Sequence, residues 1–423
     1  MRTCDVVVIG GGPAGSTAAH LLARSGHDVV LFERERFPRF HIGESLLPAN
    51  MPLLERLGVR EALERAGSVP KYGARLSTAT GSPAVRIRFS DGLLPCAPGA
   101  LQVVRSTFDD VLLRACARAG TEVCEAHEVT GARRDADTWS VRATGPDGAV
   151  EVRARHLVDG SGRDTFLARS RGTKEMASGH RRAAVYAHYR GVPREPGPTA
   201  GDVRLTVRRD GWLWMIPLAD GVTSVGLVVQ GDALRAQSRT PELAFEHALH
   251  HTPVWREVLA DAERVSPIHA TSNYSYSCGE VVRDGGLTIG DATAFLDPVF
   301  STGVWLAMRG GESAADALGR CLAHPARSAE ILDEWRVDQE RTTRYYWRLI
   351  DSFYRPEFVD LLLQPSNAPV LRGIVPALNS VFAGMGPGTL GLRARLWLFE
   401  TVQALHRRFD IRPHLDLGSV FDH

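Results

Sequence analysis

The sequence predicts an α/β protein: a Rossmann-like nucleotide-binding domain with an inserted antiparallel-sheet substrate domain and a helical C-terminal region. Three observations predict it. A glycine-rich turn joins an apolar strand to a helix within the first 33 residues. Two later stretches alternate apolar and polar side chains with the period of a half-buried sheet. From residue 331 onward the pattern turns helical and aromatic (Tyr345, Tyr346, Trp347, Phe353, Tyr354), broken by Gly and Pro near 383–391. At 423 residues the chain has room for two to three domains of ~150 residues. The predicted division gives 1–71, 105–180 and 270–330 to the nucleotide domain, 72–104 and 181–269 to the sheet domain, and 331–423 to the helical region.

Composition narrows the class. Fifty Lys+Arg against 49 Asp+Glu leave a net charge of +1, so no global field draws the chain to nucleic acid or an anionic membrane. No stretch reaches the ~18–20 uncharged apolar residues of a membrane span, and no secretion signal is predicted. The six cysteines (Cys4, Cys96, Cys116, Cys124, Cys278, Cys321) show neither C-x-x-C nor zinc-like spacing. That pattern predicts a reducing cytoplasm and no metal site.

The first element is the run Asp5-Val6-Val7-Val8-Ile9, a buried parallel strand. It enters Gly10-Gly11-Gly12-Pro13-Ala14-Gly15, which satisfies G-x-G-x-x-G. A helix follows with Ala18, Ala19, Leu22 and Ala23 on its apolar face and Gly26 as its stop. A second strand, Asp28-Val29-Val30-Leu31-Phe32, ends at Glu33. Glycines permit the tight turn, the helix N-terminus faces a pyrophosphate, and the acid binds ribose hydroxyls. The full strand–turn–helix–strand–acid order makes this a dinucleotide site.

Further elements follow in order. Arg105 opens a helix, and a hairpin at Pro146-Asp147-Gly148 returns through Val150-Glu151-Val152 to a strand at His156–Gly160. The alternating runs at 183–189, 203–207 and 222–227 predict a sheet with one face packed and the other on a cavity. Gly286–Ile289 is a strand ending in Gly290-Asp291, with a helix from about Val304. Only Lys71 and Lys174 are lysines. Arginine replaces lysine as a surface cation but cannot act as a neutral amine, so a surviving lysine merits a chemical reading. Lys174, in Arg-Gly-Thr-Lys-Glu, is expected on the solvated surface. Lys71, in Val69-Pro70-Lys71-Tyr72-Gly73-Ala74, is expected to be partly desolvated, which would lower its pKa. His41, His250 and His251 have no partner spacing and are expected to be ordinary.

The order of fingerprint, Arg105 and late Gly290-Asp291 resembles the glutathione-reductase-like FAD superfamily, in its aromatic-hydroxylase branch. Four constellations resemble the flavin-dependent halogenases within it. They are Gly43-Glu44-Ser45-Leu46-Leu47-Pro48, the Lys71 segment, Trp212-Leu213-Trp214-Met215-Ile216-Pro217, and Phe295-Leu296-Asp297-Pro298-Val299-Phe300-Ser301-Thr302-Gly303. The wording is closest to members acting on phenols or on carrier-bound pyrroles. The resemblance implies FAD held by Gly10, Gly12, Pro13, Ala14, Gly15, Glu33, Arg34, Arg39, Gly43, Glu44, Ser45, Arg105, Asp291, Pro298, Gly303 and Val304. It implies halide on the Thr302 and Gly303 amides, at a turn opening a helix, whose free backbone N–H groups suit an anion. It implies a pocket wall of Trp212, Trp214, Ile216, Pro217, Phe295 and Ser301, and Lys71 as the catalytic residue.

By the same resemblance, FAD reduced by a separate NAD(P)H flavin reductase and oxygen convert chloride or bromide to hypohalous acid. Lys71 then passes electrophilic halogen to an electron-rich aromatic of natural-product biosynthesis, free or on a carrier protein. Tryptophan-specific members carry a glutamate where this chain has Phe300, which argues against free tryptophan. Rival readings on the same scaffold are an FAD-dependent hydroxylase, an isoprenoid-type flavin reductase and a non-catalytic flavoprotein.

Overall fold

The computed structural model describes residues 2–177, 182–236, 240–272, 274–295, 297–364, 369–386 and 389–419. Strand Arg2–Ile9 lies centrally in the first sheet, between Val29–Phe32 and Gly148–Asp159, and is parallel to both. Its residues Val6, Val7 and Val8 are fully buried, as expected of a strand covered on both faces. Gly286–Thr288 extends the sheet beyond Gly148–Asp159, and Glu122–Cys124 extends it beyond Val29–Phe32. The hairpin Thr138–Gly145 into Gly148–Asp159 forms at the predicted Pro146-Asp147-Gly148 turn. Ile9 pairs with both Phe32 and Asp159, so the three carboxyl ends open on one edge, where ligands of such sheets bind.

Helix Pro13–Arg24 starts at the glycine turn, with Pro13 at the position where a missing N–H costs nothing, and Gly26 follows its end in a left-handed conformation. Its face packs on helix Thr302–Ala323, which begins two residues before the expected Val304.

The second sheet joins strands from both insert segments. Its order is Glu263–Arg264, Arg182–Arg190, Val222–Gln230, Gly211–Pro217, Val203–Arg208, Gly73–Ser77 and Ala84–Arg88, with His269–Ser272 beside Arg182–Arg190. One pair corrects the antiparallel expectation: Val203–Arg208 runs parallel to Gly73–Ser77. The two strands belong to separate excursions of the chain, and a connection that long does not impose the antiparallel return of a hairpin. A ribbon, Val69–Lys71 against Ala100–Gln102, stands beside this sheet.

The C-terminal region is helical over Ser328–Phe353, Pro356–Leu363, Pro369–Phe382 and Leu390–Phe409. It is tied back to earlier segments: the Leu93 amide donates to Ser380 Oγ at 2.6 Å and the Ala49 amide to the Ala383 carbonyl at 3.1 Å. Asp360, His406 and His414 bring possible ligand atoms within 4.8 Å of one another. The Asp360 carboxylate there is filled by His414 Nδ1 at 2.7 Å, His406 Nε2 at 3.3 Å and the Leu415 amide at 2.7 Å. This cluster fastens the final segment to two helices. Among the described residues no helix is long and apolar enough to cross a membrane.

Candidate active site

A cavity of 680 Å³ runs from the glycine turn, past the Gly43–Ser45 segment, to the tryptophan strand and the start of helix Thr302–Ala323. That volume falls in the range of cofactor and ligand pockets. Of the residues expected to hold FAD, Gly10, Gly12, Pro13, Ala14, Glu33, Arg34, Arg39, Gly43, Glu44, Ser45, Arg105, Asp291, Pro298, Gly303 and Val304 all line it. Gly15 does not. A Cβ there would stand 1.9 Å from the Gly10 carbonyl oxygen, so this glycine works by letting the helix close on the turn behind the wall.

The residues present fit FAD. Gly12, Pro13 and Ala14 put the N-terminus of helix Pro13–Arg24 on the cavity wall, where a helix's first amides lack intrahelical acceptors, while Arg39 Nη2 lies 3.6 Å from the position of a Gly12 Cβ. Amide donors plus a guanidinium make an anion cradle suited to a pyrophosphate. Glu33, at the end of its strand, is fixed by the Gly11 amide at 2.7 Å and the Glu35 amide at 2.9 Å. Arg105 bonds the Ile42 carbonyl at 2.6 Å and Asp109 at 2.9 Å, clamping the Gly43 segment. Arg34 instead pairs with Asp164 at 2.6 Å at the rim. Burial pushes the Asp291 carboxyl up to about 6, with Arg105 and Arg163 pulling against it.

At the other end, Trp212 and Trp214 stand side by side with ring centroids 5.6 Å apart. Trp212, Trp214 and Ile216 share the cavity face, as alternation predicts. Pro217, expected on this wall, is corrected: one residue further along, it is buried away from the cavity. Gly226 is paired with Trp214, and a Cβ there would lie 2.0 Å from its indole. Gly226→Ala is expected to push Trp214 into the cavity and cost about 1–3 kcal/mol. A thermal melt that follows FAD release checks it; an unchanged Tm with full FAD retention refutes it.

Phe295, Pro298, Ser301, Thr302 and Gly303 also line the cavity, while Leu296 lies outside the described residues. Ser301 is left-handed (φ 56°) and its side chain does not cap the helix that follows, so the first amides of that helix receive no acceptor from it. Phe300 packs between Phe353 and Phe382, at centroid distances of 5.6 and 5.1 Å. No carboxylate occupies that position, as the sequence indicates.

Lys71 is 1% exposed and lies behind the wall. Its Nζ donates to Ser45 Oγ and to the Leu46 carbonyl, both at 2.9 Å, and stands 5.2 Å above the Phe89 ring. Burial pushes its pKa down to about 7, with Asp202 pulling it partly back. Lys71 therefore reaches the cavity through Ser45, whose own residue forms the wall.

Several residues escaped sequence reasoning. His188 Nε2 meets Glu44 Oε1 at 2.7 Å; burial would depress this imidazole, but the hydrogen bond and charge of Glu44 outweigh it and raise its pKa. Ala184, Tyr186 and His188 alternate on one strand face, a signal that was present in the sequence. His41 lines the cavity, and burial followed by the nearby Arg105 charge lowers it to about 4, so it stays neutral. Lys174 is corrected from the solvated surface: it is half-buried on the cavity rim with Nζ 3.8 Å from the Tyr276 ring centre. The polar local sequence does not reveal an aromatic 102 positions away.

Residues 3–349 match the FAD binding domain family. The 1H-pyrrole-2-carbonyl peptidyl-carrier-protein brominase of Pseudoalteromonas luteoviolacea is 33% identical over 325 residues, covering 76% of this chain and 78% of that one. The corresponding chlorinase of Pseudomonas fluorescens is 32% identical over 379 residues, 83% of each chain. Among solved structures, the flavin-dependent brominase Bmp2 superposes with a TM-score of 0.86 at 28% identity, covering 96% of this chain and 100% of that one.

Proposed function

This chain belongs to the flavin-dependent halogenase family, and from that premise we propose that it halogenates a phenolic or pyrrolic ring carried on a carrier protein, with Lys71 delivering the halogen. It is an FAD-dependent enzyme that uses oxygen and a halide. The observation that carries the delivery step is the fully buried Lys71, in a chain that otherwise places arginine at nearly every cationic position. The carrier-bound substrate is supported by the two relatives named for pyrrolyl carrier proteins. A separate reductase fits a chain in which, among the described residues, Gly10–Gly15 alone sets the G-x-G-x-x-G pattern between a strand and a helix. Free cysteines fit a reducing cytoplasm.

FAD, reduced and bound, supplies the electrons that let oxygen convert halide to hypohalous acid. The chain's own residues do the rest. Thr302 and Gly303 amides hold the halide at the start of their helix, without a side-chain cap to compete. Trp212 and Trp214 cover that end of the cavity and exclude water and substrate from it. Ser45 and the Leu46 carbonyl orient the Lys71 amine, which takes the halogen as a haloamine or hydrogen-bonds the hypohalous acid. With a pKa of about 7, this amine exists in both protonation states near neutrality.

The test supplies FAD, an unrelated flavin reductase, NADH and oxygen, with and without bromide. A free phenol and pyrrolyl or phenolic carrier proteins serve as substrates, and products are read by mass spectrometry. Brominated carrier-bound product is expected; bromination of the free phenol alone overturns the carrier reading. Oxygen incorporation indifferent to bromide overturns the halogenation.

The lysine also leaves a stability signature. Its folded pKa of about 7 lies below the ordinary 10.5, so the unfolded chain binds more protons between those values. Stability therefore rises with pH across that window, by ~1.4 kcal/mol per unit from this group, and the penalty is full below pH 7. Lys71→Met is expected to remove that part of the slope in denaturant titrations from pH 6 to 10. An identical slope in both proteins counts against the buried amine.

A further inference from the structure

The geometry points to Tyr354, from the C-terminal region, as a positioning residue for the halide-binding turn; this rests on the halide reading above. Tyr354 follows directly on helix Ser328–Phe353 and lies far from the signature motifs in sequence. Its hydroxyl donates to Asp297 Oδ2 at 2.9 Å and accepts from Trp212 Nε1 at 2.9 Å. One phenol thus joins the tryptophan strand to the segment that opens the halide turn.

Asp297 is gripped at both ends. Its Oδ1 accepts the Val299 amide at 3.1 Å, which fixes the Pro298–Phe300 turn, and its Oδ2 takes the Tyr354 hydroxyl. Arg182 completes the cluster, with its guanidinium carbon 3.5 Å from the Tyr354 ring centre and Nη1 3.5 Å from Asp297 Oδ2. Tyr274, also on the cavity wall, buries a hydroxyl with no hydrogen-bond partner among the described residues.

The arrangement meets two needs of an anion site. The amides of Thr302 and Gly303 bind a halide only if the preceding turn holds their direction, and the Val299 cap sets that turn. A carboxylate beside an anion site also repels the anion unless its charge is compensated. The Tyr354 O–H and Arg182 supply that compensation at the oxygen not used by the turn. Tyr354 acts through Asp297 and does not touch the halide.

Bromide KM, FAD affinity and Tm are measured for the FAD-loaded enzyme and its Tyr354→Phe variant. Phenylalanine keeps the ring against Arg182 and removes only the hydroxyl. Bromide KM is expected to rise about tenfold, the worth of one hydrogen bond to a charged group. FAD affinity and kcat at saturating bromide should stay within about twofold, since uniform loss of halide binding moves KM alone. An unchanged bromide KM, or an equal loss of FAD affinity, overturns the proposal. Asp297→Asn supplies the second arm: in that background Tyr354→Phe should have little further effect on bromide KM, and additive effects overturn the coupling. Should Tyr354→Phe not fold, Asp297→Asn alone must move bromide KM at constant FAD affinity, or the proposal fails. Halide-dependent product with an unmoved KM defeats only this inference; no halide-dependent product from the parent enzyme defeats the halogenase reading itself.

Discussion

Lys71→Ala is expected to lower halogenated product by at least about a hundredfold, the usual contribution of a positioned acid–base group, while FAD remains bound. The amine has no substitute: the other lysine, Lys174, sits on the rim over Tyr276, held to the Arg163 carbonyl at 3.0 Å. Lys71→Arg is expected to fail as well. A guanidinium cannot reach a neutral form near pH 7, and it does not fit a site that offers Ser45 Oγ and one carbonyl 2.9 Å from a single nitrogen. Flavin retention is read by absorbance and product by mass spectrometry. Halogenation near the parent rate in Lys71→Ala would remove the delivery role.

Gly15→Ala is expected to abolish FAD retention and destabilise the fold by ~3 kcal/mol or more. Its Cβ would stand 1.9 Å from the Gly10 carbonyl oxygen and 3.1 Å from Val8 Cγ1, so the obstacle is backbone and cannot rotate away. The helix would have to lift from the turn, and its first-turn amides would no longer converge on the pyrophosphate site. Gly131→Ala is the control, because its Cβ meets nothing within 4 Å. FAD titration and thermal melts of both variants decide it. If Gly15→Ala binds FAD as tightly as Gly131→Ala, the close helix–turn packing is not what the site requires.

Corrections to the sequence reading share one origin. Lys71 was legible because its surroundings were apolar and arginine dominates the chain, yet its route to the cavity runs through Ser45, 26 positions earlier. Trp212 and Trp214 were legible as a shared face by the period of a strand, and the same rule excludes Pro217. Lys174 reads as a surface residue because its neighbours Arg171, Thr173 and Glu175 are polar, whereas its partner Tyr276 arrives from another strand.

The sequence by itself determined the elements whose physics is local. These are the βαβ unit around Gly10–Gly15, the Glu33 strand end, the helix opened by Arg105 and the turn before helix Thr302–Ala323. Each follows from backbone conformation, capping or side-chain period within a few residues. Only the tertiary structure decided which faces meet: the parallel pairing of Val203–Arg208 with Gly73–Ser77, the Glu44–His188 pair across 144 positions, and the Tyr354–Asp297 bond across 57. Periodicity states that a face is buried but does not name what covers it. Buried polar atoms must find partners wherever packing brings them, and that choice is made by the whole chain at once.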